Sequence, residues 1–508
     1  MIAPTPEIKT NGKGGSLFRT ADGRNFFVTF ALVTSLFLLW GFCNGMIDIL
    51  NKHFQDSLHI NKQQSGLVQF ANYLGYFLMA VPAGLLARKF GYKGGILIGL
   101  VLIGSGAFWM IHAVGIGTYS AFLLGLFVIA AGMTCLETIA NPYTTVLGAP
   151  EHGATRINIA QTFNGVGWIL GPIVGGYFVF GGGGGSSAAI GAAASATNAN
   201  TGLATPYLGI GIFAAVWFLV FIFAPVPDLQ AEDESKTSAG PKTSLKPSGG
   251  QWAGIGLALA IVWGLLYFFI APIMGLVWAL LDWPANLLDP TKYGLITAAY
   301  LGSFIVVSKN WDMFRRKHFT LGVVAQFLYV AAQTGIFSFC VNYIIENDAD
   351  VTPAKAATML GGIGFVLFTV GRFCGSAVIS QFKPHLVLAA YAAINVVLAA
   401  VCMGGGKLGL IALFGTFFFM SVMFPTIFAL GIRGLGDYTK LGASLIVMSI
   451  VGGAIAPPFM GHIADVHSMR LGMVVPLVCF VAIAIYGLFW QKLEHQDSQA
   501  GKRDHLRR

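Results

Sequence analysis

Charged residues are scarce in this chain. Of its 508 residues only 10% are Asp, Glu, Lys or Arg, whereas 56% are hydrophobic. An average soluble protein has about a quarter charged residues, so a soluble domain of this size could not cover its surface with so few. Disordered chains, coiled coils and secreted disulfide scaffolds are likewise excluded. The composition indicates one polytopic membrane protein.

Cysteines are also few, and the common catalytic motifs are missing. The six cysteines lie within apolar runs, at positions 43, 135, 340, 374, 402 and 479. No pair has the spacing of a metal site, so we predict buried free thiols and neither a metal nor a cofactor. The chain contains no GxxxxGK[ST] and no HExxH motif, which argues against ATP-driven pumping and against an enzyme.

Long apolar runs are what the chain has in abundance. A helix needs about 20 apolar residues to cross the hydrocarbon core of a bilayer. Fourteen candidate spans are found, at 27–50, 64–87, 94–113, 119–140, 157–180, 206–225, 253–281, 292–308, 319–344, 355–380, 385–403, 408–430, 440–462 and 471–490. Two runs depart from the usual pattern of a span: the run at 253–281 is long and broken by Pro272, and the run at 292–308 is short, as a re-entrant or interfacial segment would be.

Two polar stretches divide the chain. Residues 181–202 are rich in Gly, Ala, Ser and Asn, which predicts a flexible external loop. A second stretch carries charges of both signs and reads as a cytoplasmic linker. The predicted organisation is an N-terminal six-helix bundle at 1–225, a linker at 226–251, two inserted hydrophobic segments at 252–308, and a C-terminal six-helix bundle with a cytoplasmic tail at 309–508.

The net charge of +9 comes from basic residues that cluster at the ends of the apolar runs. Examples are Arg88, Lys89 and Lys93 after the second run, and Lys502 and Arg503 near the C-terminus. This pattern follows the positive-inside rule and places both termini in the cytoplasm. We therefore expect a multi-pass protein of the inner (plasma) membrane, with the lipid bilayer and not nucleic acid as its surroundings.

Two carboxylates lie inside apolar runs. Asp48 is in the first run and Glu137 is in the fourth. Charged side chains are costly in hydrocarbon and mark functional sites by default. A low-dielectric cavity favours the protonated form of a carboxyl group, which is what a proton carrier needs. We predict proton-coupling roles for both, the alternative being a structural hydrogen bond at a helix end or between helices.

Amide side chains accompany these acids. Amides both donate and accept hydrogen bonds, as the hydroxyl groups of a sugar require, and aromatic rings can cover the apolar face of a sugar. Hydrogen bonding from helix to helix is the alternative for each amide. The candidate binding residues are Trp40, Asn44, Asn141, Gln161, Asn164, Gln333, Phe337 and Asn342.

The two halves also echo each other. The stretch GVGWILGPIVGG at 165–176 is similar to SIVGGAIAPPFMG near 449–461. Internal repeats of six spans are typical of transporters. The alternative is that glycine-rich helices resemble one another because small residues let helices pack closely in lipid.

Several stretches, in order along nearly the whole chain, resemble the fucose/galactose/glucose:proton symporter family of the major facilitator superfamily. Among them are FLLWGFCNGMIDIL, GMTCLETIANPYTTVLG, RINIAQTFN, YVAAQTGIFSF and FPTIFALGIRGLG. The resemblance implies an all-α fold of two six-helix bundles around a central cavity. It implies proton-coupled import of L-fucose or a related hexose by alternating access, with Asp48 and Glu137 tied to the proton. We expect a monomer.

Some departures and alternatives stay open. The family usually has twelve spans, so the two segments at 252–308 are an insertion with no assigned role. Within the family, a glucose/galactose or N-acetylglucosamine symporter is the alternative, and a drug exporter is another kind of transporter. A sugar sensor that does not transport is a different class. A membrane enzyme using both carboxylates as a glycosidase does would need them to flank a cleavable bond.

Overall fold

The computed structural model describes residues 17–19, 24–148, 153–180, 201–224, 226–227, 284–435 and 438–506, with nine single positions between 252 and 279. These residues are helical almost throughout, and the only β-pairing among them is one isolated bridge between Arg19 and Asn25. Residues 181–200 of the predicted loop, most of the predicted linker and most of the first inserted segment lie outside the described residues, whereas the last two residues of the predicted loop are helical.

The N-terminal half forms one bundle. Its helices are α1 (Phe27–Leu58), α2 (Lys62–Ser65), α3 (Leu67–Ile116), α4 (Tyr119–Val146), α5 (Gly153–Val179) and α6 (Thr201–Phe223). Helix α3 contains two of the predicted spans and bends between them at Gly91, whose φ of 70° lies in the left-handed region. Glycine adopts this conformation without steric cost, so the kink separates two membrane-crossing segments.

The C-terminal half forms a second bundle after a short connecting region. The connecting helices are α7 (Leu288–Lys309) and α8 (Trp311–Phe314). The bundle consists of α9 (Lys317–Asn347), α10 (Pro353–Met359), α11 (Val366–Gln381), α12 (Pro384–Gly404), α13 (Gly406–Met420), α14 (Met423–Ile432), α15 (Thr439–Met448), α16 (Gly452–Val466), α17 (Met469–Gly472) and α18 (Val474–Leu506). A π-helical turn at Leu360–Phe365 joins α10 to α11, and a 3-10 turn at Ser449–Val451 joins α15 to α16.

Local capping residues begin and end several of these helices. Asn61 and Gln64 form a capping box at α2, since each side chain accepts a hydrogen bond from the other's backbone N–H. At the start of α10 the Thr352 side chain accepts a hydrogen bond from the backbone N–H of Lys355, and Pro353 occupies the first position of the helix. Gly117 ends α3 in a left-handed conformation. These residues satisfy backbone groups that a helix end leaves unpaired.

Ten helical stretches of the described residues are long and apolar enough to cross a membrane by length and composition. Two further helical stretches of similar length, α5 and the part of α3 before Gly91, carry buried amides and are not among these ten. Helix α7 is not among the ten. That both inserted segments cross the membrane stays a prediction.

The outer surface of the bundles is apolar. Large side chains such as Phe223, Leu408 and Ile411 are 83%, 66% and 69% exposed. Soluble monomers rarely expose many such groups side by side, whereas a lipid-facing surface consists of them. With its long helices, the chain is a multi-pass membrane protein. The prediction of buried thiols is confirmed for five cysteines and is wrong for Cys374, which is exposed on α11.

Glycines let the first and fifth long helices of each bundle meet at backbone distance. A Cβ added at Gly41 on α1 would overlap the backbone of Asn164 on α5, and one at Gly167 would overlap the backbone of α1. In the other bundle, Gly452 on α16 lies equally close to the backbone of Phe327 on α9. The two halves therefore pack their corresponding helices alike, which supports an internal repeat.

Candidate functional site

The two bundles meet where α1 ends. Asn51 on α1 donates from Nδ2 to the carbonyl oxygen of Ser338 on α9 at 3.3 Å. One turn further along α1, Gln55 accepts from Nδ2 of Asn342 at 2.5 Å. Both contacts join helices of different bundles, and Asn51, Ser338 and Asn342 are buried. Polar side chains thus form the seam between the bundles in this region.

The short helix α2 continues this contact. The Asp465 carboxylate on α16 accepts hydrogen bonds from the backbone N–H groups of Lys62 at 3.0 Å and Gln63 at 2.8 Å. The Lys62 Nζ also lies 3.7 Å from the Glu346 carboxylate on α9. We name the region formed by Gln55, Lys62, Gln63, Glu346, Asn342 and Asp465 the closed end, because these contacts hold the two bundles together there.

Gly66 makes the tightest approach at the closed end. A Cβ added there would lie 2.6 Å from the nitrogen and 2.7 Å from the Cα of Pro458, and 2.8 Å from the carbonyl carbon of Pro457. Such distances are shorter than any relaxed contact between carbon atoms. Helix α16 therefore packs directly against the backbone at the start of α3.

Asp48 lies on α1, buried two turns before the closed end. Its side chain is 4% exposed, and its Oδ1 accepts a hydrogen bond from Nε2 of Gln69 on α3 at 2.9 Å. Its Oδ2 is buried without a hydrogen-bond partner. An ionised carboxylate in this position would carry a desolvated, unpaired oxygen, whereas a proton on Oδ2 would remove the charge. The site suits a carboxyl group that changes protonation state.

Tyr76 brings the second acid to the same region. Its hydroxyl group lies next to the Glu137 side chain on α4 and accepts a hydrogen bond from Nδ2 of Asn44 on α1 at 3.5 Å. One turn beyond Glu137, Asn141 accepts through Oδ1 from Nε2 of Gln161 on α5 at 3.1 Å. Glu137, Asn141 and Gln161 are half-buried. The structure therefore joins Asn44, Glu137, Asn141 and Gln161 across three helices, with Tyr76 between the first two.

The predicted aromatic residues pack against other rings in this conformation. Phe337 is 2% exposed and stacks on Phe417 with ring centres 4.7 Å apart. Trp168 meets its edge at 5.9 Å. Trp40 is 5% exposed and lies against Phe37 at 5.0 Å. Phe337 and Trp168 belong to different bundles, so their contact is also part of the packing between the halves.

The remaining predicted amides lie in different surroundings. Asn164 donates to the carbonyl oxygen of Phe37 at 3.2 Å, which is the helix-to-helix bond that the alternative reading expected. Asn342 belongs to the closed end. Gln333 is half-buried on α9. No group of three or more His, Cys, Asp or Glu side chains that could hold a metal ion occurs in the part of the chain that the structure describes.

Sequence reasoning missed a polar stripe on α3. Gln69, Asn72, Tyr73 and Tyr76 recur at helical spacing and share one face, within the run QFANYLGY. Besides the contacts already described, the Tyr73 hydroxyl accepts a hydrogen bond from Oγ1 of Thr334 on α9 at 3.1 Å. The search for charged residues passed over this stripe because its members are neutral. Their helical spacing inside an apolar run would have indicated a polar face on this helix.

Comparison with known proteins relates most of the chain to one superfamily. Residues 26–446 match the family model described as Major Facilitator Superfamily. The L-fucose-proton symporter of Escherichia coli (strain K12) is 36% identical over 477 residues, which cover 92% of this chain and 94% of that protein. The glucose/galactose transporter of Brucella abortus biovar 1 (strain 9-941) is 30% identical over 481 residues, covering 93% and 96%.

Solved structures show the same fold. The crystal structure of the transporter FucP, described as being in the outward conformation, has 34% sequence identity and a TM-score of 0.56 over 92% of this chain and 99% of that one. A bacterial homologue of the human lysosomal transporter Spinster, described as inward-facing and unoccupied, has 14% identity and a TM-score of 0.64 over 92% of this chain and 98% of that one.

Proposed function

Because the chain belongs to the Major Facilitator Superfamily, we propose that it imports a sugar together with protons by alternating access. The proposed cargo is L-fucose or a related hexose. The similarity to an L-fucose-proton symporter and to a glucose/galactose transporter supports this choice. The observation that carries the proton coupling is the buried carboxyl group of Asp48, hydrogen-bonded on one oxygen and unpartnered on the other.

Closure at the α1–α2 end is the step that Asp48 controls in this proposal. Packing the bundles around an ionised Asp48 would bury a charged oxygen with no donor, at a cost of several kcal/mol. A proton on Oδ2 removes most of this cost, so the protonated carrier closes and the ionised carrier resists closing. Such a difference between two conformations is what links proton flow to transport.

Glu137 is the proposed second proton-linked acid, at the place where the sugar binds. Its neighbours Asn44, Tyr76, Asn141 and Gln161 offer donors and acceptors from three sides, as a polyhydroxylated ring requires. Asn164, Gln333 and Asn342, with the rings of Trp40 and Phe337, are proposed to join them as the bundles rearrange. Coupling then arises because the protonated form binds sugar more tightly than the ionised form.

The proposed orientation of the protein in the membrane determines which side of the membrane the closed end faces. With both termini in the cytoplasm of a cell whose inner membrane holds the protein, the closed end faces outwards. This is the opposite of the outward conformation described for FucP. The two structures would then represent two states of one alternating-access cycle. We propose that a single copy suffices, since each carrier of this fold contains both bundles.

Uptake by proteoliposomes tests the proposal. A panel of labelled L-fucose, D-galactose, D-glucose, D-mannose and N-acetylglucosamine is offered with and without an inward proton gradient. We expect gradient-stimulated uptake of L-fucose or a related hexose, recovered chemically unchanged, and impaired proton-driven uptake in Asp48→Asn. Uptake that ignores the gradient would make the protein a facilitator and refute coupling.

A glucose/galactose symporter is the second candidate, favoured by the 30% identity to the Brucella protein. The same panel separates the two, because D-glucose would then be accumulated in preference to L-fucose. A sugar sensor of this fold would bind a member of the panel without any substrate-dependent proton flux.

A further inference from the structure

Gln69 is the hydrogen-bonding partner of Asp48, and it lies on a different helix. Its Nε2 donates to Oδ1 of Asp48 at 2.9 Å, and the two side chains are 2% and 4% exposed. A buried amide in an apolar helix costs free energy unless it is hydrogen-bonded. The contact orients the carboxyl group and leaves Oδ2 as the oxygen that can take a proton.

The donor is also suited to controlling when that proton leaves. A hydrogen bond to an ionised oxygen is stronger than one to a neutral oxygen, so the amide stabilises the ionised carboxylate more than the acid. Without it, burial alone would hold the proton on Asp48 over a wider range of pH. A carrier that never releases its proton cannot complete a transport cycle.

The other groups near Asp48 do not supply this function. Tyr73 on α3 and Cys340 on α9 lie within electrostatic range of Asp48, and both are neutral in their ordinary state. Glu137 on α4 also lies within electrostatic range of Tyr73. The Tyr73 hydroxyl group accepts a hydrogen bond from Thr334 and so contacts the other bundle. Gln69 is thus the described side chain that donates a hydrogen bond to Asp48.

We propose that Gln69 is a positioning residue for proton coupling: it holds Oδ1 of Asp48 and sets the pH at which Oδ2 gains and loses its proton. One turn further along α3, Tyr73 contacts the opposite bundle. Because Gln69 and Tyr73 lie on the same helix, a change in the hydrogen bond between Asp48 and Gln69 can move the contact between the two bundles. This inference rests on the proposed function, which assigns the proton to Asp48.

Infrared spectroscopy of the purified protein in lipid tests the proposal without requiring transport. The band of the protonated Asp48 carboxyl group is identified by its disappearance in Asp48→Asn. In Gln69→Leu, we expect this band to persist to a pH about one unit higher than in the unmodified protein, because one charge-assisted hydrogen bond has been removed. Binding of L-fucose, measured against pH, should shift its midpoint in the same direction.

Asn395→Leu is the matched control. Asn395 is a fully buried amide on α12 whose described contact is to the sulfur of Met423, so its removal is the same kind of change away from Asp48. We expect no shift of the band. If Gln69→Leu does not fold, Gln69→Asn keeps an amide but shortens its reach, and the same upward shift is expected.

The outcomes are separable. An Asp48 band that titrates at the same pH with and without the Gln69 amide would overturn the inference, even if sugar uptake remains proton-coupled. Conversely, the expected shift in a protein that takes up no sugar would support the role of Gln69 at Asp48 and refute the proposed function alone.

Discussion

Replacing Gly66 by alanine should open the closed end. The new Cβ would lie 2.6, 2.7 and 2.8 Å from three backbone atoms of Pro457 and Pro458, where relaxed contacts are about 3.5–4.0 Å. The bundles must separate by about 1 Å, since neither side of the contact is a flexible side chain. Gly66 has φ −60° and ψ −17°, a helical conformation that alanine adopts readily, so the effect would come from the contact alone.

The expected magnitude follows from the cost of overpacking. Forcing an extra methyl group into a packed contact costs about 1–3 kcal/mol. Because this cost falls only on the closed conformation, its population relative to the open one should decrease about 5- to 150-fold. Sugar should still bind from the open side, whereas the turnover of uptake should fall.

Distances between spin labels measure this shift. Asp56 on α1 and His467 after α16 are exposed near the closed end and belong to different bundles. Labels at these positions, in a background with the exposed Cys374 replaced by serine, should report a longer distance in Gly66→Ala. Gly209→Ala is the control, because a Cβ at Gly209 would meet no atom within 4 Å. An unchanged distance distribution and unchanged uptake in Gly66→Ala would refute the reasoning.

Three further changes have definite expected results. Glu137→Gln, which mimics the neutral acid, should keep sugar exchange but lose accumulation driven by a pH gradient; full gradient-driven uptake would remove Glu137 from the coupling role. Thr334→Val should leave the Tyr73 hydroxyl without its partner across the bundles, costing about 1 kcal/mol and lowering the closed population about five-fold in the spin-label assay. Asp465→Asn should weaken the acceptor of the two α2 N–H groups and lower the closed population about two- to five-fold, with uptake of L-fucose slowed accordingly; an unaltered distance would show that this carboxylate does not hold the bundles together.

The polar groups at the site divide into those that the sequence could identify and those that it could not. Asp48 and Glu137 were found because an ionisable side chain within an apolar run is rare and costly. Gln69, Tyr73 and Tyr76 were missed because neutral polar side chains are common in membrane helices, where many of them only join one helix to another. Their importance depends on what they touch.

The closed end was beyond sequence reasoning for a related reason. Asp465 and Lys62 are separated by about four hundred residues and are ordinary loop-adjacent charges when read along the chain. The same holds for Gly66 and Pro458, whose close approach results from how two complete bundles pack. Asn164, predicted to bind substrate, donates a hydrogen bond to the backbone of Phe37 in this conformation. The spacing of polar residues along a helix does not show whether an amide faces a substrate or a neighbouring helix.

The sequence by itself determined that this is a membrane protein of two helical halves, because hydrophobicity and length act locally along each span. It also identified the two buried acids, because the cost of burying a charge depends on the residue type. Only the tertiary structure decided which oxygen of Asp48 is bonded, which helix supplies its donor and which end of the protein is closed. Those properties depend on contacts between helices that are distant in the chain, whose register and spacing no single stretch encodes.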